Sequence, residues 1–439
     1  MRFRASEIAA AVAGELVGPD VEVDEVRHDS RDVVGGELFV PLRDVRDGHD
    51  FIDGALASGA AAYLTARAPQ GGTAIVVDDP AAALAALGRH ARGRLPGPVI
   101  GITGSVGKTS VKDLSAAALG THLETHASLR SFNNEYGVPL TLANAPDTTD
   151  AVVVEMGARG VGHIAHLCAI ADPTIGVVTT VEAVHTELFG DLDTVARAKG
   201  ELVEHLPRTG TAVLNAANAR VAAMAARTDA TVVTFGSPTA DVRIDDLRLD
   251  PLLRPSFALR TPWGDVDVRL AVRGEHQAVN ASAAAAVALA CGVPLDLVAS
   301  GLGEAELSPW RMELATAPSG LVVINDAYNA GPASMEAALR SLVHLDVHRR
   351  AAVLGPMAEL GAHGPEAHAR IAQLCAELGV EVIAVDAPDY AGPGVHHVAR
   401  WEDARDQLAP WGEGDAVLVK GSRVAGLERV AHALLAPAS

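Results

Sequence analysis

The sequence predicts an α/β protein built from three domains, and three observations lead to this prediction. The stretch from 98 to 114, PVIGITGSVGKTSVKDL, combines an apolar β-branched run, a glycine-rich loop and the start of a helix. Strand and helix patterns then alternate along most of the chain, which is typical of parallel sheets covered by helices. Two proline-containing links, Leu95–Pro98 and Ser308–Pro309, interrupt that alternation.

The predicted domains differ in size and topology. We expect a small N-terminal α/β domain, a central domain with a phosphate-binding loop and a mostly parallel sheet, and a C-terminal Rossmann-like, doubly wound domain. The predicted boundaries are residues 1–95, 96–310 and 311–439. A chain of 439 residues is long enough for three hydrophobic cores.

The N-terminal domain is predicted to begin with a helix from Ser6 to Ala13 and to end with a helix from Pro80 to Arg94. Short apolar stretches between these helices predict strands. Two polar clusters, Asp29–Arg31 and Asp47–Asp50, stand at turns beside those strands. Taken alone, such clusters are typical of solvated turns with capping aspartates.

The glycine-rich loop predicts a phosphate site. Val99–Thr103 is a predicted buried strand, Gly104–Gly107 must turn, and Lys108 and Thr109 open a helix. Such a loop lets backbone N–H groups close on phosphate oxygens, while the lysine neutralises charge and the threonine hydroxyl holds Mg²⁺. Ile102 replaces the first glycine of the G-x-x-x-x-G-K-[ST] pattern, so a glycine-rich turn capping an ordinary helix is the alternative. ATP is the ligand that we expect.

Further candidate residues follow the next strands. One predicted strand ends in Glu155, a carboxylate placed either for Mg²⁺ or for capping a helix. The following strand ends at Thr180 and precedes His185. A helix predicted from 192 to 206 carries Lys199. Taken alone, this residue is typical of a surface lysine paired with a neighbouring glutamate.

The second half of the chain predicts an insert and then the third domain. Residues 241–272 alternate between polar and apolar types, which predicts antiparallel strands. An alanine-rich helix then begins with His276 and Asn280. A lone histidine at the start of a helix is more often a surface or capping residue. Four strands, each followed by a helix, predict the doubly wound domain. The strands are Leu321–Ile324, Ala351–Leu354, Val380–Val385 and Ala416–Val419, and the helices are Pro332–Leu345, Gly364–Leu378, Trp401–Leu408 and Val424–Leu435.

Composition argues against several function classes. A net charge of −20 and a pI of about 5.2 argue against a nucleic-acid-binding protein, which needs a basic face. The three cysteines lack metal or disulfide spacing, which predicts a reducing cytoplasm. The apolar run from Val279 to Val293 is too short to cross a bilayer, so we do not expect membrane insertion.

Lysine is scarce in this chain. Of 35 basic residues, only Lys108, Lys112, Lys199 and Lys420 are lysines. Because arginine serves elsewhere, these positions are candidates for work that needs a primary amine or a compact ammonium group. Lys112 is the exception, since we place it on the exposed side of its helix and attribute it to chance.

Longer motifs occur in order along the chain. They are DSR and DGHDF in the first domain; ITGSVGKTSVK, SFNNEYGVPLTL, VVEMGARGVGHIAHL and ARAKGEL in the second; and DAYNAGPASMEAAL, VLGPMAELG and LVKGSR in the third. Together they resemble the Mur ligase family of ATP-dependent amide synthetases. The resemblance implies a monomeric cytoplasmic enzyme of peptidoglycan precursor synthesis. Its acceptor would be UDP-N-acetylmuramoyl-tripeptide, activated as an acyl phosphate, and its amine would be D-alanyl-D-alanine.

The resemblance also implies a role for each matching position, with Lys108, Lys199, His185 and Asn134 as the catalytic residues. The implied ATP contacts are Gly104, Ser105, Gly107, Lys108, Thr109, Ser110, His276, Asn280, Arg311 and Asp326. The implied ligands of two Mg²⁺ ions are Thr109, Glu155, His185 and a carbamylated Lys199. The implied contacts of the uridine diphosphate are Asp29, Ser30, Arg31, Gly48 and His49. The implied contacts of the incoming dipeptide are Tyr328, Asn329 and Lys420.

The chain departs from the family pattern at Thr180, Glu182, Asn325, Gly331 and Pro356. None of these positions is a phosphate or metal ligand, so the departures concern the substrate. A Mur-type ligase with a different acceptor or amine therefore stays open, as does the third residue of the acceptor peptide, diaminopimelate or lysine. A switch or motor NTPase and a catalytically silent binding protein are the alternatives from other classes. Phosphate release that requires acceptor and amine together would separate a ligase from both.

Overall fold

The computed structural model describes residues 1–129, 131–182 and 189–437. The predicted site residue His185 lies outside these ranges. The described chain forms a five-stranded and a two-stranded sheet in its N-terminal part, a six-stranded and a three-stranded sheet in its central part, and a second six-stranded sheet in its C-terminal part. The predicted α/β class with several sheets is therefore confirmed.

The N-terminal part is a small α/β unit. Its strands are β1 (Phe3–Arg4), β2 (Glu15–Val17), β3 (Glu22–Val23), β4 (Val26–Arg27), β5 (Leu38–Phe39), β6 (Ala62–Thr65) and β7 (Ala74–Val76). Its helices are α1 (Ala5–Ala11), α2 (Ile52–Ala57) and α3 (Pro80–Arg94). The main sheet has the order β2-β7-β6-β5-β4, in which only β2 is antiparallel to its neighbour. Helix α1 ends earlier than predicted, and Ala13 beyond it has a left-handed φ of 52°.

The central part is organised around one parallel sheet. Its strands are β8 (Val99–Thr103), β9 (Thr125–Ala127), β10 (Ala151–Glu155), β11 (Ile175–Val178), β12 (Thr211–Asn215) and β13 (Thr231–Phe235). Its helices are α4 (Lys108–Gly120), α5 (Gly137–Ala143), α6 (His163–Ala171), α7 (Leu192–His205), α8 (Ala219–Ala222), α9 (His276–Ala290) and α10 (Leu295–Glu304). The order is β13-β12-β11-β8-β10-β9. Because β8 lies between β10 and β11, the ends of three strands meet at the phosphate loop.

The N-terminal and central units share a hydrophobic core. Helix α3 packs against α5 and α6, and residues such as Leu84 and Val138 belong to the same buried cluster. A Cβ atom at Gly88 would lie 2.5 Å from the Cβ of Pro139, so α3 and α5 cross in direct contact at a position that needs glycine. This interface is thus packed like the interior of a single unit.

The predicted antiparallel insert is confirmed. It consists of β14 (Arg243–Leu249), β15 (Pro255–Thr261) and β16 (Gly264–Arg269), in that order. Leu253, in the loop between β14 and β15, is fully buried and has a left-handed φ of 62°. It belongs to an apolar cluster with Met312 and Ile324 of the C-terminal unit. The insert therefore contributes a side chain to the core of another unit.

The C-terminal part is a doubly wound sheet, as predicted. Its strands are β17 (Glu313–Thr316), β18 (Val322–Asn325), β19 (Arg349–Leu354), β20 (Glu381–Val385), β21 (Val395–Val398) and β22 (Asp415–Lys420). Its helices are α11 (Pro332–Val343), α12 (Gly364–Glu377), α13 (Trp401–Gln407) and α14 (Glu428–Leu435). The order is β17-β18-β22-β19-β20-β21, with β17 as an antiparallel edge. Separate apolar clusters include residues of α11 and α12 and residues of α13 and α14.

No helix in the described part of the chain is long and apolar enough to span a membrane. Helices α3 and α9 have 15 residues each, whereas a spanning helix needs about 20.

Candidate active site

The phosphate loop is formed by glycines that no other residue could replace without strain. Gly104 and Gly107 have φ angles of 146° and 88°. A Cβ atom at Gly104 would lie 1.8 Å from Thr179 Oγ1, at the end of β11. The loop can therefore fold tightly between β8 and α4, which leaves its N–H groups near the helix N-terminus.

The segment after β11 forms hydrogen bonds with this loop. Ser105 N donates to Thr180 O at 2.8 Å, and Val106 N donates to Thr180 Oγ1 at 3.1 Å. Glu182 N donates to Ser105 Oγ at 3.0 Å. Of the two departures from the family pattern here, Thr180 thus supports the phosphate loop through its side chain, whereas Glu182 does so through its backbone alone.

Lys108 is held by its own loop. Its Nζ atom donates to Gly104 O at 2.9 Å and reaches Ser105 O at 3.5 Å. Burial lowers the pKa of this lysine, and the nearby Glu155 carboxylate opposes the shift. The ammonium group lines two adjoining cavities, so it is available to a ligand in either one.

Thr109 and Glu155, both expected ligands of Mg²⁺, contact each other, and a neighbouring residue also binds the carboxylate. Thr109 Oγ1 donates to Glu155 Oε2 at 2.7 Å, and both residues are buried. Asn133 Nδ2 donates to Glu155 Oε1 at 2.8 Å. Asn134, the predicted catalytic residue, instead accepts from Gly137 N at 2.9 Å and caps α5. Sequence reasoning missed Asn133, although its place beside Asn134 in the SFNNEYG motif was the available signal.

Lys199 is buried, with 3% of its surface exposed. Burial, aided by the charge of Lys108, lowers the pKa of this lysine well below its ordinary value. Glu201 accepts from Gly162 N and Ala165 N at 2.6 and 2.9 Å, and Glu204 pairs with Arg227. Among the described residues, none forms an ion pair with Lys199, so the alternative of a surface lysine paired with a neighbouring glutamate is wrong.

The expectation for Lys112 is also wrong, because this residue is buried rather than exposed. Its Nζ atom donates to Ser128 O at 2.7 Å and lies 2.8 Å from Asp113 Oδ1. Ser128 Oγ in turn accepts from Glu155 N at 3.2 Å. Lys112 thereby connects the helix of the phosphate loop to the segment that carries Asn133. Its burial follows from packing against β9 and the following segment, which the helical pattern did not reveal.

The larger cavity, of about 640 Å³, follows the phosphate loop into the C-terminal unit. It is lined by every predicted ATP contact except Gly104, namely Ser105, Gly107, Lys108, Thr109, Ser110, His276, Asn280, Arg311 and Asp326. Burial lowers the pKa of His276, and the Nδ1 atom of this half-buried histidine has no hydrogen-bond partner among the described residues. Arg311 lies over the Tyr328 ring at 4.3 Å, and its Nε is also buried without a partner. These orphaned donors and acceptors fit a polar ligand.

Asp326 and the buried Lys420 form an ion pair in the same cavity. Lys420 Nζ donates to Asp326 Oδ2 at 2.5 Å and to Asn329 O at 2.9 Å. Asp326 Oδ1 accepts from Met312 N at 3.1 Å. The pair therefore also fixes the segment that joins the central and C-terminal units. Tyr328 and Asn329 line this larger cavity.

The smaller cavity, of about 410 Å³, opens on the other side of Lys108. Its lining includes Lys199, Asn134, Arg159 and His28 of the N-terminal unit. His28 packs edge-on against Phe132 with ring centroids 5.8 Å apart, and burial lowers the pKa of this histidine. The histidine precedes the predicted Asp29–Arg31 cluster, and sequence reasoning missed it.

The predicted contacts of the uridine diphosphate lie outside both cavities. Ser30 lies in a 3₁₀ turn whose flanking residues pair, since Asp29 accepts from Arg31 N at 3.0 Å. His49 is buried between Asp47 Oδ1, at 2.7 Å, and Ala66 N, at 3.1 Å. Gly48 lies against the backbone of Leu42, where a Cβ atom would be 2.5 Å from the carbonyl oxygen. These contacts stabilise the turns, and the binding role stays a prediction.

Comparisons with known proteins cover nearly the whole chain. Residues 102–288 match the profile of the Mur ligase middle domain, and residues 310–423 match that of the Mur ligase, glutamate ligase domain. The UDP-N-acetylmuramoyl-tripeptide–D-alanyl-D-alanine ligase of Mycobacterium tuberculosis is 39% identical, over 98% of this chain and 98% of its own length.

Two solved structures are similar over nearly their full length. One is the UDP-N-acetylmuramoylalanyl-D-glutamyl-2,6-diaminopimelate–D-alanyl-D-alanyl ligase from Acinetobacter baumannii, with a TM-score of 0.88, 28% identity, and coverage of 99% of this chain and 98% of that one. The other is the MurF ligase from Thermotoga maritima in complex with ADP, with a TM-score of 0.83, 27% identity, and coverage of 93% and 96%.

Proposed function

Because the chain belongs to the Mur ligase family, we propose that it joins D-alanyl-D-alanine to UDP-N-acetylmuramoyl-tripeptide in an ATP-dependent reaction of peptidoglycan precursor synthesis. The observation that carries this proposal is the position of Lys108, which lines both cavities between the buried Thr109–Glu155 pair and the buried Lys199. We assign the larger cavity to ATP and the smaller one to the acceptor. We also expect the enzyme to act in the cytoplasm as a monomer.

The chemistry explains why two cavities must adjoin. A carboxylate oxygen of the acceptor attacks the γ-phosphorus of ATP, the bond to the bridging oxygen breaks, and ADP leaves. The amine nitrogen of the dipeptide then attacks the carbonyl carbon of the acyl phosphate. The tetrahedral intermediate expels phosphate with its bonding electrons, and the nitrogen loses a proton. The first step brings two anions together, so it requires cations between them.

Lys108 supplies one of these cations. Its ammonium group lies on its own loop, at the carbonyls of Gly104 and Ser105. Phosphate oxygens are stronger acceptors than neutral carbonyls, so ATP would draw the group away from the loop. From there it faces both the γ-phosphate and the attacking carboxylate.

Thr109 and Glu155 fit a magnesium ion. A buried hydroxyl and a buried carboxylate 2.7 Å apart offer the hard oxygen ligands that Mg²⁺ prefers. A bound Mg²⁺ would take its remaining ligands from phosphate oxygens and water. The ion would neutralise charge that develops on the transferred phosphoryl group.

Lys199 fits carbamylation. A neutral amine adds to the carbon of CO₂ and releases a proton, which leaves an anionic carbamate with two oxygens. Burial that lowers the pKa of Lys199 favours the neutral amine that this reaction needs. The carbamate would then be a ligand of a second Mg²⁺ with His185, which lies outside the described residues. An arginine could not react in this way.

The remaining predicted contacts complete the larger cavity. His276 and Asn280 at the start of α9 would meet the adenosine, and Arg311 would meet the phosphates. Asp326, the predicted ribose contact, would have to share its carboxylate with Lys420. Tyr328, Asn329 and Lys420 would border the dipeptide, so its amine would approach the activated carbonyl from the C-terminal unit.

The departures from the family pattern give little support to a different acceptor. Thr180, Glu182 and Gly331 line the larger cavity, and Asn325 and Pro356 line neither cavity. Asn325 Nδ2 donates to Glu313 Oε2 at 3.1 Å, and Pro356 O accepts from Ser422 N at 3.0 Å. All five therefore stand away from the proposed acceptor site.

Phosphate release with purified protein tests the proposal. We expect release only when ATP, a UDP-linked tripeptide and D-alanyl-D-alanine are present together, with the pentapeptide product identified by mass spectrometry. Lys108→Ala should abolish release and leave the unfolding midpoint unchanged, because the side chain faces ligand. Arg370→Ala, at an exposed position on α12, is the matched control. Release without acceptor and amine would support a switch, and a product from another amine would support a different Mur-type ligase.

A further inference from the structure

The smaller cavity contains two opposite charges that the proposed chemistry does not use. Arg159, just after β10, and Glu135, just before α5, both line it. Both side chains are exposed. Within the described chain, neither forms an ion pair or a side-chain hydrogen bond, and they do not pair with each other.

Other charges of this cavity already have a use or a contact. Lys108 and Lys199 belong to the reacting end, and His28 packs against Phe132. Many arginines elsewhere are paired, such as Arg67 with Asp47 and Asp50. A guanidinium and a carboxylate that face one cavity without meeting can receive a group that carries both an anion and a cation.

One acceptor carries such a group beyond its reacting carboxylate. 2,6-Diaminopimelate ends in a distal carbon with an ammonium and a carboxylate, whereas lysine ends in an ammonium alone. The dipeptide is also a zwitterion, but its proposed contacts Tyr328, Asn329 and Lys420 line the larger cavity. The group that reaches Arg159 and Glu135 therefore belongs to the acceptor.

We propose that Arg159 and Glu135 recognise the distal zwitterion of an acceptor peptide that ends in diaminopimelate, and that Arg159 selects this peptide over one that ends in lysine. The guanidinium binds the distal carboxylate, and Glu135 binds the distal ammonium. This inference rests on the proposed function and specifies its substrate. Arg159 is the specificity determinant, Glu135 contributes binding that both acceptors share, and neither residue takes part in bond making.

Steady-state kinetics with two acceptors test this assignment. The acceptors are UDP-N-acetylmuramoyl-tripeptides that differ only in the third residue, diaminopimelate or lysine. Arg159→Gln should raise KM for the diaminopimelate peptide about tenfold, as expected for one charge-assisted contact at an open site. Its kcat, its KM for the lysine peptide and its KM for D-alanyl-D-alanine should stay unchanged. Glu135→Gln should raise KM for both acceptors, because both present an ammonium group.

Three outcomes would overturn the assignment. An equal rise for both acceptors means that Arg159 binds a carboxylate which they share, such as that of the glutamyl residue. A rise in KM for the dipeptide means that the zwitterion is the amine substrate. No change means that the guanidinium is merely solvated. Arg208→Gln, at an exposed position after α7, controls for loss of surface charge. A wild-type protein that converts neither acceptor would instead refute the proposed function.

Discussion

The two interfaces of the central unit are built in opposite ways. Towards the N-terminal unit, α3 packs on α5 through apolar residues, and Gly88 lies against Pro139. Towards the C-terminal unit, the contact beside the site is polar. Ser131 of the central unit and Tyr328 of the C-terminal unit share a hydrogen bond between their hydroxyls.

The first interface therefore contributes mainly to the stability of the fold, and the second lies beside the residues that carry the chemistry. Burial of apolar surface at the first interface stabilises the fold. Burial of Lys108, Lys199 and His276 at the site disfavours their charged forms and lowers their pKa values. We therefore expect the N-terminal and central units to act as one rigid base, and the C-terminal unit to be the part that adjusts to ligands.

The largest expected effect tests the cost of burying Lys199. Lys199→Met should lower kcat about a thousandfold, because the carbamate and its charge stabilisation are lost. It should also raise the unfolding midpoint. In the folded protein the pKa of Lys199 lies well below its unfolded value near 10.5. At a pH between the two pKa values, the unfolded chain binds a proton that the folded chain does not, so the free energy of unfolding rises with pH. The variant should lose that part of the pH dependence.

Two further variants sharpen this prediction. Lys199→Arg should be as inactive as Lys199→Met, since arginine keeps the charge but cannot be carbamylated. Lys199→Ala with a small carboxylic acid in solution should recover part of the turnover. Wild-type activity in Lys199→Arg would show that the residue acts only as a cation.

The next effect concerns the apolar interface. Gly88→Val should lower the free energy of unfolding by about 3 kcal/mol, because the new side chain would overlap the backbone of Pro139. Gly93→Ala, on the same helix with nothing within 4 Å of the added Cβ, is the control. It should stabilise by about 0.5 kcal/mol through helix propensity. Urea unfolding measures both, and equal behaviour would disprove the tight crossing.

The apolar contact across the second interface should matter somewhat less. Leu253→Ala should cost about 2 kcal/mol, at the low end for a buried leucine, because the loop can partly collapse. The neighbouring Leu252 is 43% exposed, so Leu252→Ala should change stability little. Urea midpoints that shift equally for both variants would mean that Leu253 is not packed in the apolar cluster of the C-terminal unit.

The smallest effect concerns the hydroxyl contact between Ser131 and Tyr328. A double-mutant cycle with Ser131→Ala and Tyr328→Phe should give a coupling of about 1 kcal/mol in kcat/KM. We also expect more phosphate to be released per amide formed, since a looser interface admits water to the acyl phosphate. Additive effects with full coupling of ATP use to amide formation would show that the contact is incidental.

Local sequence patterns predicted the bounds of helices and strands better than they predicted which side chains contact each other. The bounds of α3 and β8 were predicted correctly, because capping, apolar runs and flanking turns decide them locally. The nearness of Glu155 to the phosphate loop was also predicted, since β8 and β10 are parallel neighbours and Glu155 ends β10. Asn133 was missed in favour of Asn134, because only the folded chain decides which of two neighbouring amides turns towards a carboxylate 22 residues away.

Leu253 also decides how this chain can be divided. A fragment that begins at the predicted boundary of residue 311 would lack the side chain that completes its own core beside Met312 and Ile324. Such a fragment would expose to solvent the apolar residues that Leu253 covers, and it would tend to associate with other chains. A recombinant C-terminal fragment would thus have to include Leu253, or carry polar replacements for the apolar residues that Leu253 covers.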